Sequence, residues 1–110
     1  MITGPQSPGV KSNMILSIEQ HANWIAQCLV HLRKNGLSKI DAQQVAADNW
    51  VKHSNEVADS TLYPQANSWY TGANIPGKPR IFMPYVGGVQ NYCERVERIT
   101  DNGYEGFTLS

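Results

Sequence analysis

Between Asn13 and Asn35 the apolar residues Met14, Ile18, Ala22, Ile25, Leu29 and Leu32 recur at steps of four and three. That spacing lines one face of an α-helix and predicts a helix over 13–35. Ser12 or Asn13 can accept from the free amides of its first turn, and Asn35-Gly36 supplies the left-handed residue that lets it stop. A second face comprises Ala42, Ala46, Trp50, His53 and Val57, preceded by Ser38 and Asp41 in the serine-x-x-acid capping pattern. It predicts a second helix over 38–61. Val89, Tyr92, Val96 and Ile99, with Asn102-Gly103 as a stop, predict a third over 88–102, and Phe107-Thr108-Leu109 reads as a short strand at about 107–109.

Between the second and third helices, residues 62–87 lose all periodicity. Pro64, Gly72, Pro76, Gly77, Pro79 and Pro84 forbid a continuous helix there, because proline removes a backbone donor and fixes its own dihedral. Arg80–Met83 is the one candidate strand in this stretch. Structureless connections in compact domains rarely exceed about 12–15 residues. This one also carries Tyr63, Trp69 and Tyr70, rings that are costly to leave in water. Its length points to function or to a docking surface supplied from elsewhere. The expected fold is mainly α: three helices, a long irregular loop and one or two short strands, forming a single segment over 1–110.

Composition narrows the function classes. With 110 residues and a formal net charge of zero, the chain has neither the basic footprint of a nucleic-acid binder nor a polybasic membrane patch. No apolar run approaches the length of a membrane span. Only Cys28 and Cys93 are present, which excludes a disulfide-dense scaffold and a four-cysteine zinc site, so a soluble, cytoplasmic protein is expected. His21, His31 and His53 stand at no metal-ligand spacing, and no metal site is expected. There is no G-x-S-x-G elbow and no G-x-G-x-x-G, although Gly87-Gly88 precedes a helix. The chain offers no catalytic residue and no Rossmann phosphate site of its own.

Two places carry candidate chemistry. Gly4-Pro5-Gln6-Ser7-Pro8-Gly9 is a rigid small-residue turn that delivers the chain to the amino end of the first helix. Such an end bears roughly +0.5 of an elementary charge and several unpaired amides. It suits an electron-rich ligand edge such as a flavin pyrimidine ring, although an ordinary capped helix accounts for the same residues. Trp69-Tyr70 lies in a glycine-flanked irregular stretch, where an indole can stack on a nucleotide or simply anchor a core.

Taken together, several segments resemble the tail of the flavin-dependent Baeyer–Villiger monooxygenases of the cyclohexanone and phenylacetone monooxygenase type. They are G-P-Q-S-P-G-V-K-S-N-M at Gly4–Met14, S-I-E-Q-H at Ser17–His21, T-L-Y-P at Thr61–Pro64 and S-W-Y-T-G-A-N-I-P-G-K-P-R at Ser68–Arg80. Y-V-G-G at Tyr85–Gly88 and G-Y-E-G-F at Gly103–Phe107 continue the similarity in order across essentially the whole chain. The resemblance implies a C-terminal segment of a larger α/β flavoprotein, whose two dinucleotide-binding domains hold FAD and NADPH. It implies oxidation of a small ketone to an ester or lactone, or of a sulfide. Carried over by residue, the backbone at Asn13 and Met14 would meet the flavin ring, and Pro8, Gly9 and Val10 would border the substrate pocket. Trp69 would be the mobile-loop tryptophan that latches on NADP and shields the reaction from water. Lys78 and Arg80 would assist it or remain solvated.

Two departures qualify the match. Lys11 stands where an apolar residue is common in relatives, which leaves the substrate open. The glycine-rich fingerprints, the histidine-containing signature and the arginine that steadies the family's reactive flavin state are expected in upstream sequence or a partner chain. By itself the chain is expected to bind no cofactor and to be inactive. The alternative, from another class, is a stand-alone helical interaction module, homodimeric through faces that in relatives meet the flavin domains. In either case a small segment without its docking partner exposes apolar surface and is expected to associate or to be marginally stable.

Overall fold

Asn13 opens the first helix, α1 (Met14–Lys34), as expected: its backbone is extended and its Oδ1 accepts from the Ile15 amide at 3.0 Å. His31, Arg33 and Lys34 crowd the last turn, where positive charge opposes the negative end of the helix dipole. Asn35 and the left-handed Gly36 (φ 66°) then end it. In the computed structural model, residues 2–9 and 12–110 are described. The remaining elements are β1 (Ile40–Ala42), α2 (Gln44–Asp59), two single 3₁₀ turns at Tyr63–Gln65 and Trp69–Thr71, α3 (Val89–Asp101) and β2 (Phe107–Leu109).

The second helix corrects an expectation. It starts at Gln44, six residues later than Ser38 and Asp41 suggest, and Gln43 caps it without any side-chain hydrogen bond. The Ser38–Ala42 stretch goes instead to a two-stranded antiparallel sheet. Ile40 faces Leu109, Asp41 faces Thr108 and Ala42 faces Phe107. The amides of Ser38 and Lys39 both donate to the Ser110 carbonyl, at 2.8 and 2.7 Å. A capping box satisfies only two donors, whereas this pairing satisfies a run of them and lays Ile40, Phe107 and Leu109 against the core of Cys28, Leu32 and Tyr104.

The 62–87 loop is irregular as expected, but the candidate strand at Arg80–Met83 does not form. Prolines 79 and 84 bracket it, and each removes a ladder donor. Among the described residues, the strand-like contact of this loop is one parallel bridge between Pro8 and Tyr85. Around that bridge lies a second packed region of aromatic rings. Trp50 of α2 stacks on Tyr85 with centroids 5.1 Å apart, and Tyr92 of α3 approaches both. Tyr63, Tyr70 and Phe82 close the other side of the loop.

α1 turns an unexpected side inward. Its buried residues are Ser17, His21, Cys28 and Leu32. Leu32 belongs to the expected apolar stripe as well, but the centre of that stripe lies roughly 65° further round at about 3.6 residues per turn. Met14, Ile18 and Leu29 on that stripe are 44, 45 and 59% exposed. Among the described residues no helix is long and apolar enough to cross a membrane.

Candidate functional site

At the amino end of α1, the turn before the helix folds back on it. Pro8 is fully buried and its carbonyl accepts from Ser17 Oγ at 3.2 Å. The Tyr85 amide donates to the Ser7 carbonyl at 2.9 Å on the other flank. Gly9 sits in ordinary contact range of its neighbours: a Cβ placed there would lie 3.6 Å from Met14 Sδ and 4.0 Å from Pro84 Cβ. Gly9 and Met14 therefore form one edge with Pro8 buried behind it, the cap Asn13 exposed beside it and no acidic residue in the first helical turn. Val10 and Lys11 lie outside the described residues.

Trp69 occupies a separate place. It begins the second 3₁₀ turn, whose cap Ser68 accepts from the Tyr70 amide at 3.2 Å, and whose end is the left-handed Gly72 (φ 74°). Thr71 Oγ1 donates back to the Ser68 carbonyl at 2.8 Å. The turn is thus tied from within, while the indole itself is 65% exposed, its inner side resting on Tyr70 at 4.0 Å. A bare core anchor would be covered. Lys78 and Arg80 are exposed, and Arg80 donates to Asn67 Oδ1 at 2.9 Å, bracing the loop rather than facing Trp69.

Sequence reasoning missed a polar bridge behind this edge. His21, 7% exposed, places Nδ1 3.0 Å from Thr3 Oγ1 and Nε2 3.1 Å from the Tyr92 hydroxyl. A neutral imidazole donates at one nitrogen and accepts at the other, so it joins the turn, α1 and α3 in either tautomer. Burial holds its pKa below the ordinary histidine value and pushes that of Tyr92 up. His53, 3.4 Å from the Tyr85 hydroxyl, is lowered by burial and by the nearby Arg95, with Glu56 opposing. Ser17 and His21 stand four apart on one face of α1, but Glu19, Gln20, Asn23 and Gln27 are polar as well, so the sequence did not single this pair out. Among the described residues no cluster of three histidine, cysteine or acidic side chains could hold a metal.

A helix end with no acidic residue in its first turn suits an electron-rich ring edge such as that of a flavin. Among the described residues, a hollow of about 330 Å³ lies between α1 and α3 beside Gln20 and Trp24, and another of about 190 Å³ lies beside Thr71 and Arg80. Neither is lined by Pro8, Gly9, Met14 or Trp69.

Comparison with known proteins names the class. The chain is 41% identical over 98 residues to the acetone monooxygenase (methyl acetate-forming) of Gordonia sp. strain TY-5, covering 89% of this chain and 18% of that protein. It is 37% identical over 107 residues to the cyclopentanone 1,2-monooxygenase of Comamonas sp., covering 97% and 20%. In structure it matches all of its length to 20% of the cyclohexanone monooxygenase of Rhodococcus sp. Phi1 bound to NADP+, with a TM-score of 0.91 at 31% identity. A steroid monooxygenase bound to NADP follows, over 98% of this chain and 20% of that one, with a TM-score of 0.87 at 38% identity. No protein-family model matches. The chain is a homologue of one segment of the Baeyer–Villiger monooxygenases, and it spans about one fifth of the length of the relatives it matches.

Proposed function

We propose that this chain is the C-terminal part of an FAD- and NADPH-dependent cytoplasmic monooxygenase that oxidises a small ketone to an ester or lactone, or a sulfide, and that it is inactive alone. The observation that carries the reading is the pairing of an exposed helix end beside Pro8 and Gly9 with an exposed, rigidly seated Trp69. The uncovered stripe of α1 supports it, because a face of Met14, Ile18 and Leu29 needs a partner surface.

The flavin supplies oxygen activation, and NADPH the reducing equivalents. The chain's own residues orient and exclude. The amides at Asn13 and Met14, at the positive end of the α1 dipole, would face the electron-rich edge of the flavin ring, where fixed dipoles stabilise negative charge without reorganising. Pro8, Gly9 and Val10 border the substrate pocket, and the rigid proline backbone holds that wall in place. Trp69 covers bound NADP with its free face and keeps water from the reacting centre.

The test replaces the corresponding segment of the Comamonas cyclopentanone monooxygenase with this chain. Ketone-dependent NADPH oxidation and lactone formation are expected, with a loss of roughly tenfold or more in Trp69→Ala while FAD stays bound. A chimera that folds and binds FAD but oxidises no ketone contradicts the reading. Tight FAD binding with NADPH oxidation by the isolated chain contradicts its inertness.

A further inference from the structure

Among the described residues no hydrogen bond joins the Trp69 turn to the Pro8–Gly9 edge, yet one ribbon, residues 82–85, is bonded to the first and to the turn that carries the second. The Met83 amide donates to the Tyr70 carbonyl at 2.8 Å, and the Met83 carbonyl accepts from the Gln6 amide. Two residues on, the Tyr85 amide donates to the Ser7 carbonyl at 2.9 Å. Pro8, lacking an amide of its own, offers its carbonyl to Ser17 Oγ, and Ser17 is 2% exposed. The ribbon is backed independently by α2, because Asn55 Oδ1 accepts from the Phe82 amide at 3.2 Å.

The turn at Gly4–Ser7 has one long hydrogen bond of its own and a strained residue. Its Ser7 amide reaches the Gly4 carbonyl only at 3.3 Å, and Gln6 at its third position has φ 62°. A turn with proline second and a left-handed third residue favours glycine there, so a glutamine is strained. Such a turn keeps its shape only while outside partners hold it, and those partners are Met83, Tyr85 and Ser17.

We infer that Met83–Tyr85 couples the Trp69 turn to the Pro8–Gly9 edge, with Ser17 as the positioning residue that fixes this edge to α1. Resting on the function proposed above, this makes seating of the NADP cover and placement of the substrate wall one event. Loss of either end loosens the other through the shared ribbon.

Amide hydrogen exchange on the chain itself tests the coupling without any cofactor. Ser68→Ala removes the cap of the Trp69 turn and is expected to speed exchange of the distant Gln6 and Tyr85 amides by about tenfold. Ser17→Ala is expected to do the same at Met83, and Ser17→Thr, which keeps the hydroxyl, to restore it. The Ser38, Lys39 and Ser110 amides of the β1–β2 pair should not change in any variant. Unaltered Gln6 and Tyr85 exchange in Ser68→Ala overturns the link. A uniform rise that includes Ser38 and Ser110 makes Ser17 merely structural and overturns its positioning role. In the chimera, Ser17→Ala should raise the ketone KM several-fold and weaken NADP binding with little change in kcat; a fall in kcat alone counts against it. An inactive chimera with coupled exchange refutes the proposed function but leaves the link standing. An active chimera with uncoupled exchange does the reverse.

Discussion

Gly87 is held by space rather than by dihedral. Its φ is not among the positive ones, so any residue could adopt its backbone. A Cβ there would nevertheless stand 2.5 and 2.8 Å from Cζ and Cε1 of the Tyr85 ring. That ring has nowhere to go: it is 2% exposed, stacked on Trp50, and donates its hydroxyl to Asn91 Oδ1 at 2.7 Å. Gly87→Ala therefore forces a buried ring off its place, an overpacking cost of about 1–3 kcal/mol. The displaced hydroxyl forfeits a hydrogen bond worth about 1 kcal/mol. A total of about 2–4 kcal/mol is a large share of the roughly 5–15 kcal/mol that holds a domain together. Urea unfolding followed by tryptophan fluorescence, with Trp50 on the ring face, reads this as a lower midpoint at unchanged slope. In a Tyr85→Leu background the colliding atoms are gone, and the same Gly87→Ala change should cost about 0.5 kcal/mol or less. If its cost is equal in the two backgrounds, or near zero in the wild type, the ring is not what confines Gly87 and the reasoning fails.

Acid should destabilise the fold from near neutrality downward. His21 and His53 are both held below the ordinary value of 6.5. As pH falls through 6.5 the unfolded chain takes up protons that the folded chain refuses, so stability present above that point is lost until the lowered folded values are reached. Urea midpoints between about pH 7.5 and pH 5 should fall, less steeply in His21→Gln; a flat profile rules the linkage out. On the exposed stripe of α1, Ile18→Lys with Leu29→Lys should leave unfolding stability within about 0.5 kcal/mol while lowering the apparent mass by light scattering at high concentration. A large loss of stability would mean that these side chains are packed in the isolated chain after all.

What could be read directly from the amino-acid order is what depends on near neighbours. The three helices, the carboxyl-terminal stops at Asn35-Gly36 and Asn102-Gly103, the Asn13 cap and the proline-broken stretch all rest on interactions a few residues apart. The Asn13 helix start and the irregular, glycine-flanked stretch that carries Trp69 were also legible, because caps, prolines and glycines act locally, whereas the exposure of the indole was not.

Contacts across the chain decided the rest. Ser38 and Asp41 carry a sound capping signal, yet their backbone pairs with a strand some seventy residues away, and no local pattern announces that choice. The period of α1 marks an apolar stripe but not which side is covered; the buried side is the one that reaches Tyr104, Tyr92 and Pro8. Periodicity describes one helix, whereas burial and polar pairing depend on which distant surfaces arrive against it, and only the assembled chain supplies those.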